Sequence, residues 1–327
     1  MPNSKSNRDE LIKNLPKVED IELKKNMKIS ELMEEFGRLG GFTAKKLYTA
    51  AQILKEMIED EKSLNFLSFP ACIVSTGVRG VIKEALKNKF FDIVITTCGT
   101  LDHDIARCWK TYLHGWFEAD DTELAEMEIF RLGNIFIPSE NYGAIIEEIM
   151  QDLLKKLYNA GIRELATYEL SEKIGEYIDR NCPNKEDSIL WWAWKNKIKI
   201  IIPGITDGAV GYQLWLFYQD HKDFKINVLK DEQYLSDVIY DAERTGALIV
   251  GGGISKHHVI WWNQFKEGLD RVVYITTAVE WDGSLSGART REAISWGKIG
   301  KKASHITVEE DATVLLPMII AYLIDKT

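Results

Sequence analysis

The chain has 327 residues and a formal net charge of −9, because 50 Asp and Glu outnumber 41 Lys and Arg. This acidic balance argues against a general nucleic-acid binder, whose affinity depends on a basic surface that contacts phosphates. A hydrophobic fraction of 45% is sufficient for the buried core of one large α/β domain or two ordinary ones.

The cysteines and the hydrophobic runs predict the compartment. The four cysteines show neither CxxC spacing nor the spacing of metal ligands, and a chain of this size needs no disulfides. The first residues lack an apolar signal core, and no run approaches ~18 uninterrupted apolar residues. We therefore expect a soluble, cytoplasmic protein with reduced thiols and no membrane contact.

The N-terminal residues differ in pattern from the rest of the chain. The first ~28 residues are charged and carry few apolar positions, which favours an extension that is partly disordered or docks on a neighbour. We predict an N-terminal helical extension over residues 1–40 and a single large catalytic domain over residues 41–327.

Three later segments predict helices. From Thr43 onward, apolar residues recur on one face between positions 47 and 58, and residues 145–157 repeat this pattern. Residues 312–324 are apolar on nearly all sides, so this helix is predicted to lie in the interior or at a subunit contact.

Four apolar runs that end in small residues predict strands, at residues 91–99, 198–204, 247–253 and 271–278. Continuous apolar runs are typical of buried parallel strands. The sequence thus predicts an α/β fold with a Rossmann-like, mostly parallel central sheet flanked by helices. Glycines at the carboxyl ends of such strands can make a dinucleotide-sized crevice, although tight turns explain any one of them equally well.

Common motifs for cofactors and metals are missing. The chain contains no GxGxxG fingerprint, no Walker lysine loop and no HExxH pair. His257 and His258 are adjacent, so on a helix they point about 100° apart and cannot readily share one metal. We expect no metal site. One of the two histidines could act as a neutral acid or base in a crevice, whereas packing is the alternative role.

The candidate nucleophile is Lys298. A lysine amine attacks an imine or carbonyl only when it is neutral, so it must be desolvated or lie near other cations. Trp296 could supply a dry wall and attract a cationic substrate with its ring face, and Glu292 and Asp282 could hold the charged end of a diamine. The alternative is a surface lysine beside two solvated carboxylates.

Three motifs carry a resemblance to a known family: Gly-Gly-Gly-Ile-Ser-Lys-His-His at 251–258, Asp-Gly-Ser-Leu-Ser-Gly-Ala-Arg at 282–289 and Glu-Ala-Ile-Ser-Trp-Gly-Lys at 292–298. This block resembles deoxyhypusine synthases, most closely the archaeal branch. The likeness extends to residues 75–79, 96–104, 203–208 and 310–312, and covers nearly all the chain after about residue 40.

The resemblance implies a reaction. A 4-aminobutyl group would pass from spermidine to one lysine of the translation initiation factor 5A precursor, with NAD as a recycled hydride carrier. Lys298 would hold the group as an imine and His257 would move the amine proton. Family members resemble one another as homotetramers with sites between paired subunits, so we expect a homotetramer here.

Carried over by position, the resemblance also implies the binding residues. The NAD contacts would be Ala71, Cys72, Ile73, Val74, Ser75, Thr97, Cys98, Gly99, Asp207, Gly252, Thr277, Ala278, Asp311 and Ala312. The substrate contacts would be Asp102, His103, Asp282, Gly283, Ser284, Glu292 and Trp296.

Five positions depart from the better-known eukaryotic pattern, namely Cys72, His103, Tyr212, Trp261 and Leu285. At least two carboxylates that would hold the amine are therefore absent from their usual places. Either Asp102, Asp104 and Glu280 replace them, or the ring faces of Trp261 and Trp262 bind the cation, or the donor is another amine such as agmatine.

Three functions remain open at this point. The first is a deoxyhypusine synthase. The second is the same chemistry with a free diamine as acceptor, as in homospermidine synthase. The third is a non-catalytic subunit that binds NAD or a polyamine and regulates a partner.

Overall fold

Parallel strands organise the computed structural model, which describes residue 8 and residues 12–327. Its strands are β1 (Ser63–Phe69), β2 (Ile93–Thr96), β3 (Leu113–His114), β4 (Ile129–Leu132), β5 (Ile135–Pro138), β6 (Glu164–Leu165), β7 (Lys199–Ile201), β8 (Lys225–Ile226), β9 (Arg244–Val250), β10 (Leu269–Thr276) and β11 (Ile299–Glu309).

Helices connect and cover these strands. They are α1 (Ile29–Arg38), α2 (Phe42–Glu59), α3 (Val78–Lys87), α4 (Gly99–Trp109), α5 (Asp121–Glu126), α6 (Gly143–Asn159), α7 (Thr167–Asn181), α8 (Ile189–Asn196), α9 (Ala209–Asp220), α10 (Val228–Asp241), α11 (Gly253–Asn263), α12 (Thr290–Ser295) and α13 (Ala312–Lys326).

The central sheet has six strands in the order β11-β10-β9-β1-β2-β7, and every adjacent pair is parallel. Counted along the chain, this order is 3-2-1-4-5-6 from β7 to β11, which is the order of dinucleotide-binding α/β folds. The predicted Rossmann-like parallel sheet is thereby confirmed. Two small sheets lie outside it, antiparallel β3-β5-β4 and the parallel pair β6-β8.

Both faces of the central sheet are buried, which explains why its strands are apolar on both sides. Leu67, Val94 and Leu248 belong to the core on one face, which α2, α3 and α13 cover. Phe66 and Ile249 belong to the core on the other face, which α10 and α11 cover. Neighbouring residues of one strand alternate between these two cores.

Two of the six central strands escaped prediction. In β1, buried Asn65 and Ser68 interrupt the apolar run, and the Asn65 amide is satisfied by the Met57 carbonyl at 3.3 Å. In β11, which lies at an edge of the sheet, Lys301 and Lys302 are exposed. Charged residues on an edge strand disfavour pairing with another chain. Because they interrupt the apolar run, the strand was not predicted from the sequence.

The predicted helices are present with small shifts in their bounds. The helix predicted from Thr43 is α2, and the helix predicted over residues 145–157 is α6. The helix predicted over residues 312–324 is α13, which buries Leu316 and Ile319 and leaves Val314 and Ile324 about half exposed. Its buried side contacts α1, α2 and α3. A subunit contact for the exposed side stays a prediction.

The predicted boundary at residue 40 falls on the turn between α1 and α2, where Gly40 has a φ of +68°. Residues 1–7 and 9–11 of the predicted extension lie outside the described residues. Met33 of α1 is fully buried, and α1 packs against α2 and α13. The division into extension and catalytic domain stays a prediction. No helix within the described ranges is long and apolar enough to cross a bilayer.

Candidate active site

The site lies at the carboxyl edge of the central sheet. Because all six strands are parallel, the loops that follow them meet at this one edge. From β1 the chain first builds β2 and β7 on one side and later β9, β10 and β11 on the other. The strand order therefore reverses between β1 and β9, and ligands of open α/β sheets bind at such a point.

Glycines let the two loops at this reversal approach closely. Gly251 has a φ of +65°, and a Cβ there would lie 3.2 Å from the ring of Pro70. A Cβ on Gly252 would lie 2.1 Å from the Ser286 Oγ. The glycines therefore let neighbouring loops pack against each other at this edge, where a side chain has no room.

The structure brings the predicted cofactor residues to this edge. They follow six different strands: residues 71–75 follow β1, 97–99 follow β2, 207 follows β7, 252 follows β9, 277 and 278 follow β10, and 311 and 312 follow β11. Thr97 fixes the first two loops to each other, because its hydroxyl accepts the Ala71 N–H at 3.0 Å. Asp311 caps α13 by accepting the Thr313 N–H on one oxygen and the Thr313 hydroxyl on the other, so both of its oxygens already have a partner.

Arg107 holds the loop after β1 in place through hydrogen bonds to its backbone. Its guanidinium donates to the Val74 carbonyl at 2.7 Å and to the Thr76 carbonyl at 2.5 Å. The Ser75 hydroxyl donates to the Cys72 carbonyl at 2.7 Å. These bonds hold a short 3₁₀ helix over Ala71–Ser75. Sequence reasoning missed Arg107, because nothing in the chain near it points to a loop more than 30 residues away.

Asp102 and His103 do not reach the cavity that holds the candidate nucleophile. Asp102 is 1% exposed and accepts bonds from the Ala209 and Val210 N–H groups of α9 and from the Tyr142 hydroxyl. Burial raises its pKa. His103 is buried and bonds the Tyr112 hydroxyl at 3.0 Å. Their predicted role in substrate binding has no support from this geometry, because both already serve packing within the chain.

A cavity of about 270 Å³ opens beside β9 and β10 on the face that α11 covers. It brings together Gly283, Ser284, Glu292, Trp296 and Lys298 from the predicted site. Apolar side chains form much of the remaining wall, including Ile249, Ile260, Val272, Leu285 and Ile299.

His257 and Lys298 both lie close to one indole ring, that of Trp261. The His257 ring stacks on Trp261 with centroids 5.6 Å apart, and the Lys298 Nζ lies 5.8 Å from the Trp261 ring centroid. Burial lowers the pKa of His257, and the Lys298 charge lowers it further. The imidazole is therefore kept neutral and able to accept a proton near pH 7. The 40 residues between them conceal this pairing in the sequence.

Within a single chain Trp296 does not shield Lys298 from water, so its expected role as a dry wall stays a prediction. Trp296 is 68% exposed, although the Lys298 Nζ lies 5.2 Å from its ring centroid. The desolvated lysine is instead Lys256, which is 5% exposed and whose pKa burial lowers to about 7. Glu292 opposes this shift, so its carboxylate lies close enough to Lys256 to act on its charge.

The two predicted carboxylates have different surroundings. Within residues 12–327, the Glu292 carboxylate and the Lys298 ammonium have no hydrogen-bond or ion-pair partner, so both are available to a ligand at the cavity mouth. Hydrogen bonding from the Ser284 side chain, and then from the Ser284 N–H at 2.7 Å, lowers the pKa of Asp282. Asp282 therefore helps to shape the loop that leads into the cavity.

The structure also sorts the candidates for replacing missing carboxylates. Asp104 cannot do so, because it is fully buried and bonds Arg79, Ser188 and two backbone N–H groups of α8. Glu280 pairs with Arg291 at the surface. Trp262 packs against His258 and Phe265. Of these candidates among the described residues, only Trp261 lies near Lys298, whose Nζ is 5.8 Å from the centroid of the indole ring.

The described side chains include no group of three or more His, Cys, Asp or Glu residues placed to hold a metal ion. His258 points away from His257, as expected of neighbours on a helix, and its Nε2 lies 3.2 Å from a Glu232 oxygen.

Comparison with known proteins identifies the family. The family model for deoxyhypusine synthase matches residues 31–323. The chain belongs to the deoxyhypusine synthase family. It is 53% identical over 314 residues to a probable deoxyhypusine synthase of Picrophilus torridus. This alignment covers 96% of this chain and 98% of the relative. It is 48% identical over 325 residues to that of Ignicoccus hospitalis, with 98% of both chains covered.

Solved structures show the same fold. A putative deoxyhypusine synthase from Entamoeba histolytica superposes with a TM-score of 0.61 and 18% identity, over 93% of this chain and 96% of that one. AgrE, solved as a ternary complex with ornithine and NAD⁺, superposes with a TM-score of 0.51 and 10% identity, over 94% of this chain and 34% of that one. The fold of this chain thus resembles one part of AgrE, which is a longer protein.

Proposed function

We propose that this protein is an NAD-dependent deoxyhypusine synthase that transfers the 4-aminobutyl group of spermidine to one lysine of the translation initiation factor 5A precursor. The observation that carries this proposal is the position of His257 and Lys298 against Trp261, at a cavity beside a crevice of dinucleotide-binding topology. A proton acceptor, a lysine amine and an unpaired carboxylate are the groups that amine transfer through an imine requires.

The crevice fits NAD on two observations of this chain. The strand order reverses between β1 and β9, and the loop after β9 has no room for a Cβ at Gly252. AgrE, which has a similar fold, was solved with NAD⁺ bound. When bound, NAD would take up the hydride from the carbon beside the secondary amine and would return it to the imine formed with the acceptor lysine, so that the transfer has no net redox change. The loops at residues 71–75, 97–99 and 251–253 would hold it.

The chain's own groups account for the remaining steps. The neutral imidazole of His257 takes the proton from the donor's secondary amine. The Lys298 amine then attacks the imine carbon, the carbon–nitrogen bond to 1,3-diaminopropane breaks, and Lys298 holds the aminobutyl group as an imine. The acceptor lysine attacks the same carbon and releases Lys298. The Glu292 carboxylate binds the primary ammonium end of the group, and the Trp261 and Trp296 ring faces attract cationic intermediates.

A second subunit would complete the site. Trp281 and Trp296 are 86% and 68% exposed, although large aromatic side chains are usually covered in the working assembly. We propose a cytoplasmic homotetramer in which another subunit covers this rim and excludes water from Lys298.

A different amine donor is the second candidate for the substrate. Leu285 lies in the cavity wall, where the better-known eukaryotic pattern has an acid, so the wall offers one charge less to a polyamine. Agmatine, with one amine and one guanidinium, is the alternative donor to compare with spermidine.

The decisive experiment incubates the purified protein with the factor 5A precursor, NAD and either spermidine or agmatine, and then measures the precursor by mass spectrometry. We expect a butylamine mass gain on one lysine with spermidine. A gain with agmatine alone would overturn the donor, and a gain on free putrescine instead of the precursor would indicate a homospermidine synthase activity.

Borohydride trapping tests the covalent step. With NAD and spermidine, the trapped adduct should lie on Lys298; it should disappear in Lys298→Ala and persist in Lys301→Ala, a change at an exposed lysine of β11. Absence of any adduct together with tight NAD binding would favour a regulatory binding subunit over an enzyme.

A further inference from the structure

One loop forms the partition between the cofactor crevice and the cavity. Gly283, Ser284, Leu285 and Ala288 line the cavity, whereas Ser286 packs against Gly252 of the crevice. Gly287 packs so tightly that a Cβ there would lie 2.1 Å from the Val279 carbonyl oxygen. We call residues 285–288 the partition loop.

Side chains hold every carbonyl of the partition loop. The Ser286 carbonyl accepts from the Tyr274 hydroxyl and from the Thr276 hydroxyl. The Gly287 carbonyl accepts from Arg289 at 2.9 Å. The first and last carbonyls, those of Leu285 and Ala288, both accept from the Lys256 Nζ, each at 2.7 Å. A single ammonium group therefore bridges the two ends of the loop.

The position of Lys256 suits this bridge. It lies on α11 one residue before His257, is 5% exposed, and places its Nζ 3.6 Å from the centroid of the Tyr274 ring. Two hydrogen bonds to carbonyls and a contact with a ring face are interactions that stabilise an ammonium group. Lys256 thus links the helix that carries the candidate proton acceptor to the wall of the cavity.

We propose that Lys256 is a positioning residue that fixes the partition loop, and thereby sets the distance between the bound cofactor and the donor amine in the cavity. The effect of Lys256 on catalysis rests on the proposed function. Its effect on the partition loop does not depend on that function. Lys256 takes no covalent part in the reaction, because its Nζ already donates to two carbonyls and faces the Tyr274 ring, whereas Lys298 has no partner of this kind among the described residues.

Hydrogen exchange measured by mass spectrometry on peptides spanning residues 279–289, without cofactor or amine, tests the structural part. In Lys256→Met, which keeps the length of the side chain and removes its donors, exchange at Gly287 and Ala288 should become about tenfold faster or more. The control Lys301→Met should leave these peptides unchanged. Unchanged exchange in Lys256→Met would overturn the proposal, whether or not transfer activity is found.

Kinetics and trapping test the catalytic part. In Lys256→Met, kcat should fall by about tenfold or more while KM for the amine donor changes less, and the trapped adduct should remain on Lys298. Lys256→Arg, which keeps a charged donor, should recover part of the loss. An adduct on Lys256 in the native protein, or a native kcat with only KM raised in Lys256→Met, would overturn the positioning role.

A second variant covers the case in which Lys256→Met does not fold. Tyr274→Phe removes only the hydroxyl that donates to the Ser286 carbonyl and keeps the ring below the ammonium. Exchange in the same peptides should increase by a smaller factor than in Lys256→Met. Exchange at the native rate in Tyr274→Phe would show that side-chain bonds to the carbonyls do not hold the loop.

Discussion

Gly252 lies so close to Ser286 that a Cβ at position 252 would fall 2.1 Å from the Ser286 Oγ and 2.6 Å from its Cα. This contact joins the loop after β9, which faces the proposed cofactor crevice, to the partition loop that walls the cavity. The two halves of the site are thus mechanically connected, and a change on one side must displace the other.

Gly252→Ala should therefore impair both halves of the site. The added methyl group forces the partition loop or the loop after β9 to move, and overpacking of this kind costs about 1–3 kcal/mol. We expect NAD affinity and the kcat/KM for the amine donor each to fall by about tenfold or more, as measured by calorimetry and by the transfer assay. Gly80→Ala, where a Cβ meets nothing within 4 Å, is the matched control and should leave both values unchanged.

Lys298→Met should raise the pKa of His257. The Lys298 charge is one cause of the lowered pKa of this histidine, after burial, and removal of a nearby cation favours the imidazolium form. A titration of the His257 ring protons by NMR measures the change, and Lys301→Met should have no effect. A pKa that stays the same in Lys298→Met would mean that the two groups do not interact.

Asp104→Asn should destabilise the protein without acting through the substrate. Asp104 and Arg79 are buried at 0% and 6% side-chain exposure, with an Nε–Oδ1 distance of 2.6 Å. Breaking a buried ion pair by removing one charge costs about 3–5 kcal/mol. Denaturant unfolding should show this loss, whereas Asp220→Asn at an exposed position should be nearly neutral. A stable Asp104→Asn protein with a raised KM for the donor would instead support a substrate role for Asp104.

Glu292→Gln should weaken amine binding and leave the fold intact. The Glu292 carboxylate is exposed at the cavity mouth and is the proposed partner of the primary ammonium end. Loss of one charge-assisted hydrogen bond predicts a KM for the donor about tenfold higher with unchanged NAD affinity. Glu267→Gln at an exposed turn serves as control, and a native KM in Glu292→Gln would assign the ammonium end to another group.

Asp60 should contribute stability that acid removes. Hydrogen bonding to Arg244, with further bonds to Lys62 and Arg271, holds the pKa of Asp60 well below its ordinary value. For a carboxyl whose pKa is lowered by folding, the stabilisation is present above the unfolded pKa of about 4 and is lost as the pH falls below it. The free energy of unfolding should fall from pH 6 to pH 3 more steeply in the native protein than in Asp60→Asn. Asp241→Asn should keep the native slope.

Much of the fold follows from local patterns. The runs that became β2, β7, β9 and β10 are continuously apolar, because both faces of the sheet are covered, and their terminal glycines and threonines lie at the binding edge as predicted. The strands β1 and β11 were missed, since buried polar groups in one and edge lysines in the other break the apolar pattern.

The sequence by itself determined the family and the residue types of the site, because the motifs at 251–258, 282–289 and 292–298 are specific and the parallel strands have an apolar pattern of their own. Only the tertiary structure decided which side chains are buried and which meet. Asp102 and Asp104 are neighbours in an apparent binding motif, yet helices from distant parts of the chain bury both. Lys256 and Lys298 have the same chemistry, yet one bonds two carbonyls and the other, among the described residues, contacts only the rings of Trp261 and Trp296 at the cavity mouth. Periodicity reports burial within one element, whereas these outcomes depend on which elements the sheet order brings together.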